Sequence, residues 1–179
     1  MTTRFALLRA INLGGKTTVR MADLRQLLED VGMANPRSLL QSGNLVFESP
    51  GGAESAVESL LEKETASRLG LRTEFFVRGT AEWSTLRQNN PFPAEADGDP
   101  SHLLVVFLRA VPSPDSVLAV DALAGPERAQ AWGRHLYVTY PDGIGRSRLT
   151  MSVIETQLHT RGTARNWNTV LKLAAMAQA

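Results

Sequence analysis

The sequence predicts an α+β fold made of two small α/β sandwich domains, and three observations lead to this prediction. Short apolar segments of strand length alternate with segments in which apolar residues recur at helical spacing. The order strand, helix, strand, strand, helix, strand can be read twice along the 179 residues. Residues 89–100 hold three prolines, one glycine and three acidic residues, a composition typical of a linker. We therefore expect a first domain over residues 1–90 and a second domain over residues 91–179.

Apolar spacing and glycine positions define the first domain. The predicted elements are a strand at residues 5–8, a helix at 21–31, strands at 38–40 and 45–47, a helix at 53–69 and a strand at 74–77. Gly32 and Gly70 are placed to end the two helices. Thr80 begins a short helix whose apolar side carries Trp83 and Leu86. One sheet with both helices on one face is the ferredoxin-like arrangement.

The second domain repeats this order, although its residues do not visibly repeat those of the first. The predicted elements are a strand at residues 102–108, a helix after Ser113 and Pro114, a hairpin of strands at 129–132 and 136–140, a helix capped by Ser147 and an edge strand at 163–165. Asn166 then caps a final helix. The fold class is therefore α+β, with two ferredoxin-like (β-α-β-β-α-β) sandwiches and an appended C-terminal helix.

The composition excludes several classes of protein and site. The absence of cysteine rules out disulfides, thiolate metal sites and cysteine nucleophiles. No apolar run approaches the length of a transmembrane helix, and the N-terminus lacks the features of a signal peptide, so we expect a cytoplasmic protein with no membrane partner. The three histidines are far apart and lack the spacing of metal-binding motifs, so we expect neither a metal nor a cofactor.

Charge is distributed unevenly along the chain. Residues 133–179 hold 6 Lys and Arg against 2 Asp and Glu, whereas the net charge of the whole chain is +1. A basic C-terminal quarter could attract an anion or a nucleic acid. A chance asymmetry on a solvated face would give the same count, and the composition favours that simpler interpretation.

Several short motifs resemble those of one protein family. They are Leu-Leu-Arg at residues 7–9, Ile-Asn at 11–12, Gly-Gly-Lys at 14–16, Met-Ala-Asp-Leu at 21–24, Gln-Ser-Gly-Asn at 41–44, Tyr-Pro-Asp-Gly-Ile-Gly-Arg-Ser at 140–147 and Arg-Asn-Trp-Asn-Thr at 165–169. Together they resemble the uncharacterised bacterial family DUF1697. The resemblance implies two ferredoxin-like sandwiches and no established activity. Ala10 stands where we expect glycine, and Arg148 stands where we expect lysine.

The segment at residues 142–148 has the composition of an anion site. Two glycines leave its backbone open, and the predicted helix start at Ser147 would offer unpaired N–H groups and the positive end of the helix dipole. Arg146 and Arg148 add charge at that point. The alternative is a loop whose arginines pair with Asp142 or with acids of the first domain.

Two further segments could contribute to ligand binding. Arg165, Asn166 and Asn168 surround the start of the last helix, and a shared pocket forms if this start converges with the 142–148 segment. Gly14, Gly15 and Lys16 could present backbone N–H groups and a charge to an anion, although the spacing is not that of a P-loop and a tight turn explains it equally well.

These candidates predict binding of a small anionic or phosphorylated ligand at a basic, amide-rich pocket. An enzyme acting on such a ligand is an alternative, with Asp142 as the candidate for proton transfer and no recognisable nucleophile. A nucleic-acid accessory module is a further alternative, although the spacing of Tyr137 and Tyr140 puts them on opposite faces of a strand. The carboxylates of Glu54, Glu58 and Glu62, at i, i+4 spacing, are interpreted as a solvated stripe.

Overall fold

The computed structural model of the chain describes residues 1–9 and 18–179 and divides them into two compact units. The described residues of Met1–Ser84 form unit 1 together with Lys172–Ala179, and Thr85–Leu171 form unit 2. Each unit contains one four-stranded sheet in which all neighbouring strands are antiparallel. The predicted α+β class is confirmed.

Unit 1 has the ferredoxin-like order of elements. They are β1 (Thr2–Leu8), α1 (Met21–Asp30), β2 (Ala34–Leu39), β3 (Asn44–Ser49), α2 (Glu54–Leu69), β4 (Phe75–Gly79) and the beginning of α3 (Thr80–Gln88). The strand order in the sheet is β2-β3-β1-β4. Gly70 ends α2 in the left-handed conformation, with φ of 63°, and the amide of the next residue, Leu71, donates to the carbonyl oxygen of Thr65 at 3.1 Å. The predicted helix stop at this glycine is confirmed.

One face of this sheet packs against α1 and α2. Alternate strand residues, including Ala6, Leu45 and Phe47, share a core with Leu24 and Leu61 of the helices. Burial of a side chain the size of Leu or Phe stabilises a fold by about 1.5–3 kcal/mol relative to exposure. On the opposite face, the ring of Phe5 stacks on that of Trp83 in α3 at 4.1 Å.

Unit 2 repeats the arrangement. Its elements are α4 (Pro93–Gly98), β5 (Leu103–Leu108), α5 (Pro114–Leu123), β6 (Arg128–Trp132), β7 (His135–Thr139), a 3-10 helix (Ile144–Arg146), α6 (Met151–Leu158), β8 (Gly162–Asn166) and the beginning of α7 (Trp167–Gln178). The strand order is β6-β7-β5-β8, which matches unit 1. Ser113 caps α5 as predicted, since its Oγ accepts from the amide of Ser116 at 3.2 Å.

The two units share a short sequence repeat that the search for element order did not detect. Leu-Arg-Ala occurs at residues 8–10 and again at residues 108–110. The amides of Leu8 and Leu108 each donate across to the loop between the hairpin strands, at 2.9 Å in both cases. In both units a helix follows the last strand directly, as α3 follows β4 and α7 follows β8. The expectation that the residues do not repeat is therefore wrong at these positions.

Two further expectations from the sequence are also wrong: irregular backbone throughout the linker at residues 89–100, and the start of the helix after Ser147. The linker contains a regular element, α4, because Pro93 occupies its first turn, where a missing N–H costs nothing. Helix α6 begins at Met151 with Thr150 as its N-cap, not at Ser147. The reason is local: Ser147 has extended backbone, and its Oγ accepts from the amide of Leu149, two residues later.

The acidic stripe of α2 is not solvated, contrary to the sequence interpretation. Glu54, Glu58 and Glu62 each accept a hydrogen bond from a backbone N–H of β4, and the three donors are Gly79 at 2.6 Å, Val77 at 2.8 Å and Phe75 at 2.9 Å. Glu58 is only 2% exposed. Since β4 is an edge strand, its outward N–H groups would otherwise lack strand partners. Carboxylates at every fourth residue of the helix match N–H groups at every second residue of the strand.

Candidate functional site

The strand register of unit 2 gathers several connecting segments at one end of its sheet. Leu103 at the start of β5 lies opposite Thr139 at the end of β7. The next residue of β5 lies opposite Asn166 at the end of β8, and Arg128 at the start of β6 also lies opposite Thr139. The segments before β5 and β6 and after β7 and β8 therefore meet at this end. Two cavities lie among them.

The first cavity, which we call the arginine cavity, has a volume of about 340 Å³. It lies between the connection from α5 to β6 and the segment after β7, and Asp142, Arg146 and Arg148 line it. Both arginines are exposed. Within residues 1–9 and 18–179, neither guanidinium has a hydrogen bond or an ion pair, so the alternative that they pair with Asp142 finds no support there.

A buried carboxylate forms part of the wall of the arginine cavity. Glu127 is 8% exposed, and its Oε2 accepts from the amide of Gly125 at 2.8 Å. The hydroxyl of Ser147 donates to the same carboxylate, which holds the pKa of Glu127 below its usual range. The negative charges of Glu127 and Asp142 balance the two arginines, so the lining is not uniformly basic as the sequence suggested.

The hydroxyl of Ser147 serves the wall of the cavity. It accepts from the amide of Leu149 at 2.9 Å and donates to Glu127. Ser147 therefore positions the segment that carries the two arginines.

The residues around the start of α7 do not line the arginine cavity. Asn166 is the N-cap of α7 as predicted, because its Oδ1 accepts from the amide and the hydroxyl of Thr169, each at 3.0 Å. Arg165 donates to the hydroxyl oxygen of Thr163 at 2.9 Å, and burial lowers its pKa to about 10. Asn168 is half-buried on the first turn of α7. The expected shared pocket of two helix starts is not formed by these three residues and the arginine cavity.

Gly14, Gly15 and Lys16 lie outside the described residues. Among the residues that are described, no group of three or more His, Asp and Glu side chains could hold a metal ion. The described helices include none of the length and apolar character needed to cross a membrane.

The second cavity, which we call the histidine cavity, has a volume of about 410 Å³. Asp99, His102 and Arg128 line it. The Nδ1 atom of His102 lies 2.6 Å from Oδ2 of Asp99, and the hydroxyl of Ser101 donates to Oδ1 of the same carboxylate at 2.9 Å. The hydrogen bond from His102, with a smaller contribution from Ser101, holds the pKa of Asp99 below its usual value.

The sequence reasoning missed this pair of residues because it searched histidines for metal-binding motifs only. The available signal was Asp-Pro-Ser-His at residues 99–102, in which a carboxylate precedes an imidazole by three residues at a turn. The backbone closes that turn, since the amide of His102 donates to the carbonyl oxygen of Asp99 at 3.1 Å.

Tyr140 lies on the border of the histidine cavity but has a structural role. Its hydroxyl donates to the carbonyl oxygen of Leu149 at 2.9 Å. Burial, and to a lesser extent the nearby charge of Glu127, raises its pKa to about 12. A phenol held neutral in this way is unsuited to proton transfer near neutral pH.

The fold and this pair of cavities define a tandem ferredoxin-like α+β protein with a polar site in its second unit. The chain belongs to the family described as protein of unknown function, DUF1697, whose sequence profile matches residues 1–137. That match covers His102 and Glu127 and ends before the 142–148 segment.

A solved structure supports the fold. The conserved bacterial protein SP0830 from Streptococcus pneumoniae is similar with a TM-score of 0.78 and 24% sequence identity, over 98% of each chain. No protein of curated function matches the sequence. The expected DUF1697 resemblance and the two ferredoxin-like sandwiches with a C-terminal helix are thus confirmed.

Proposed function

We propose that the protein binds a small anionic or phosphorylated ligand at the arginine cavity. The observation that carries the proposal is the pair of exposed guanidinium groups of Arg146 and Arg148, which border a cavity and have no ion pair among the described residues. Guanidinium groups bind phosphate and carboxylate through two parallel hydrogen bonds. One oxygen of Glu127 already accepts from the amide of Gly125 within the wall of the cavity.

The size and backbone of the site support this proposal. Its volume of about 340 Å³ falls at the lower end of the range for small-molecule pockets. Gly145, which precedes Arg146 but does not line the cavity, has open space where a side-chain carbon would stand, so no side chain crowds the arginine from this position. Leu123, which is 53% exposed, gives the lining an apolar part that suits the carbon skeleton of a phosphorylated metabolite.

A thermal-shift titration tests the proposal. Inorganic phosphate, pyrophosphate, nucleoside phosphates and sugar phosphates are added at low and at moderate salt. A ligand at 100 times its Kd stabilises the native state by about 2.7 kcal/mol, which corresponds to several degrees for a chain of this length. We expect Arg146→Ala and Arg148→Ala each to need at least ten times more ligand to reach the same thermal shift.

Arg87→Ala is the matched control, because Arg87 is also exposed and lines neither cavity. Equal shifts in all three variants would contradict the proposal. Shifts caused only by oligonucleotides, and lost as salt rises, would favour the nucleic-acid alternative instead. That alternative receives no support from base stacking on the sheet, since Tyr137 and Tyr140 are 0% and 2% exposed.

The compartment that we propose for this function is the cytoplasm of a bacterium. Support comes from the ligand class, since phosphorylated metabolites are produced and retained inside cells, and from the family resemblance described above. Cell fractionation of the native host, with detection of the protein by antibody, tests this placement. Recovery with the envelope fraction would contradict it.

A further inference from the structure

The hydrogen bond between Asp99 and His102 leaves one imidazole nitrogen of His102 as a proton acceptor. In a neutral imidazole one ring nitrogen carries a proton and the other carries a lone pair. The ionised carboxylate of Asp99 lies 2.6 Å from Nδ1 and accepts a hydrogen bond from the N–H group there, so the lone pair is on Nε2. Ser101 fixes the other oxygen of the carboxylate and thereby the orientation of the pair.

The acceptor nitrogen faces the turn that separates the two cavities. Nε2 of His102 lies 3.8 Å from the position that a side-chain carbon on Gly143 would occupy. Pro141 lines the histidine cavity, Asp142 lines the arginine cavity, and Pro126 lines both. A phosphoryl group that the arginines hold at the edge of their cavity bordering this turn would therefore face Nε2.

Other charged groups also lie near His102. Arg128 of β6 forms an ion pair with Glu95 of α4, and both line the histidine cavity. Asp142 is exposed on the turn next to Gly143. The charged groups near the imidazole are therefore Asp99, which contacts it through a direct hydrogen bond, this ion pair and Asp142.

We propose that His102, oriented by Asp99, is the general base for hydrolysis of a phosphate ester or phosphoanhydride bound at the arginine cavity. This inference rests on the proposed function. Water is the only co-reactant: its oxygen forms a bond to phosphorus, and the bond from phosphorus to the leaving oxygen breaks. Nε2 of His102 accepts the proton that the water loses and returns a proton to the leaving oxygen. Arg146 and Arg148 offset the charge that develops on the phosphoryl oxygens.

The experiment measures hydrolysis of p-nitrophenyl phosphate, bis(p-nitrophenyl) phosphate and pyrophosphate by the full-length protein. We expect the wild type to hydrolyse at least one of the three. Loss of a positioned general base lowers a rate by about 10²–10⁴-fold, so His102→Asn should lower kcat at least 100-fold. The thermal shift produced by inorganic phosphate should stay unchanged in this variant.

His159→Asn is the matched control. His159 is exposed and lines neither cavity, and asparagine tolerates its left-handed backbone.

Asp99 is a positioning residue. Its test therefore needs a measurement that distinguishes loss of imidazole orientation from a general folding defect. Asp99→Asn should lower kcat and leave KM unchanged, because the imidazole loses its orienting carboxylate while the arginines still bind the ligand, and Asp99→Glu should restore part of the rate. No hydrolysis of any of the three compounds by the wild type, or equal rates for wild type and His102→Asn, would overturn the inference. If the phosphate-induced shift persists in either case, the proposed binding function stands. If the wild type shows no shift, both fail.

Discussion

Arg78 and Arg165 occupy the same position in the edge strands of the two units. Arg78 lies opposite the fourth residue of β1, and Arg165 lies opposite its counterpart in β5. Each guanidinium donates to the carbonyl oxygen of the preceding residue, at 2.9 Å and 2.8 Å. In unit 1 the carboxylates of Glu82 and Glu58 lie 3.3 Å and 3.9 Å from Arg78, whose side chain is fully buried. The arginine and the glutamates therefore seal the outer edge of β4.

The first prediction concerns this buried network. Replacement of Arg78 by methionine should destabilise the protein by about 3–5 kcal/mol, because it removes a buried guanidinium that lies 3.9 Å from the buried carboxylate of Glu58. Urea unfolding followed by circular dichroism measures the loss. The double variant Arg78→Met, Glu58→Gln should recover part of it, whereas Arg87→Ala should change stability by less than about 0.5 kcal/mol. A loss below about 1 kcal/mol in the single variant would contradict the role given to Arg78.

The second prediction concerns the edge strand itself. Glu58→Ala removes the acceptor of the Val77 amide at 2.8 Å and should cost about 1–3 kcal/mol. The combined loss of Glu54, Glu58 and Glu62 exposes the N–H row of β4 and should increase self-association, measured by light scattering at fixed protein concentration. Ser55→Ala on the exposed side of α2 is the control. Unchanged scattering in the triple variant would show that the carboxylates do not protect this edge.

The third prediction concerns the two tyrosines of the chain. Burial raises the pKa of Tyr137 above its usual range and that of Tyr140 to about 12. Because the unfolded chain ionises near pH 10 and the folded protein does not, stability should fall as pH rises from about 10 toward 12. Ultraviolet absorbance should then show both phenols ionising together with alkaline unfolding. Ionisation near pH 10 in the folded protein would contradict the burial of these hydroxyls.

Local signals in the sequence predicted much of the fold. Gly70 and the pair Ser113 and Pro114 mark helix ends because left-handed backbone and capping depend on residues adjacent in the chain. The start of α6 was misplaced because Ser147 and Thr150 are both capping residues, three positions apart, before the same apolar residues. Ser147 instead has extended backbone, and its hydroxyl accepts from the amide of Leu149, a use of the side chain that residue type and spacing do not distinguish from helix capping.

The site was predicted only in part, because some of its contacts join residues that are distant in the sequence. Arg146 and Arg148 were identified from the local sequence and do line a cavity. The role of Glu58 depends on which strand lies at the sheet edge, a long-range property. Placement of His102 beside Gly143 depends on the pairing of β5 with β7, which the spacing of residues along the chain does not specify.

The last prediction connects the wall of the arginine cavity to stability and pH. The hydrogen bond from Ser147 holds the pKa of Glu127 below its ordinary value of 4.5. A carboxyl group with a lowered pKa in the folded state contributes stability above its unfolded pKa, and that stability is lost as pH falls through the folded pKa. Ser147→Ala removes this bond together with the contact to Leu149, so it should destabilise the protein by about 1–2 kcal/mol at pH 7. Below pH 4, where Glu127 is increasingly protonated, the difference between wild type and variant should shrink.

Urea unfolding at pH 7, 5 and 3.5 measures this difference in the free energy of unfolding, and Ser152→Ala, on the exposed side of α6, is the control. A difference that stays constant with pH would show that the Ser147 hydroxyl stabilises the 142–148 segment through Leu149 alone, and that the ionised Glu127 does not hold the arginine-bearing segment in place.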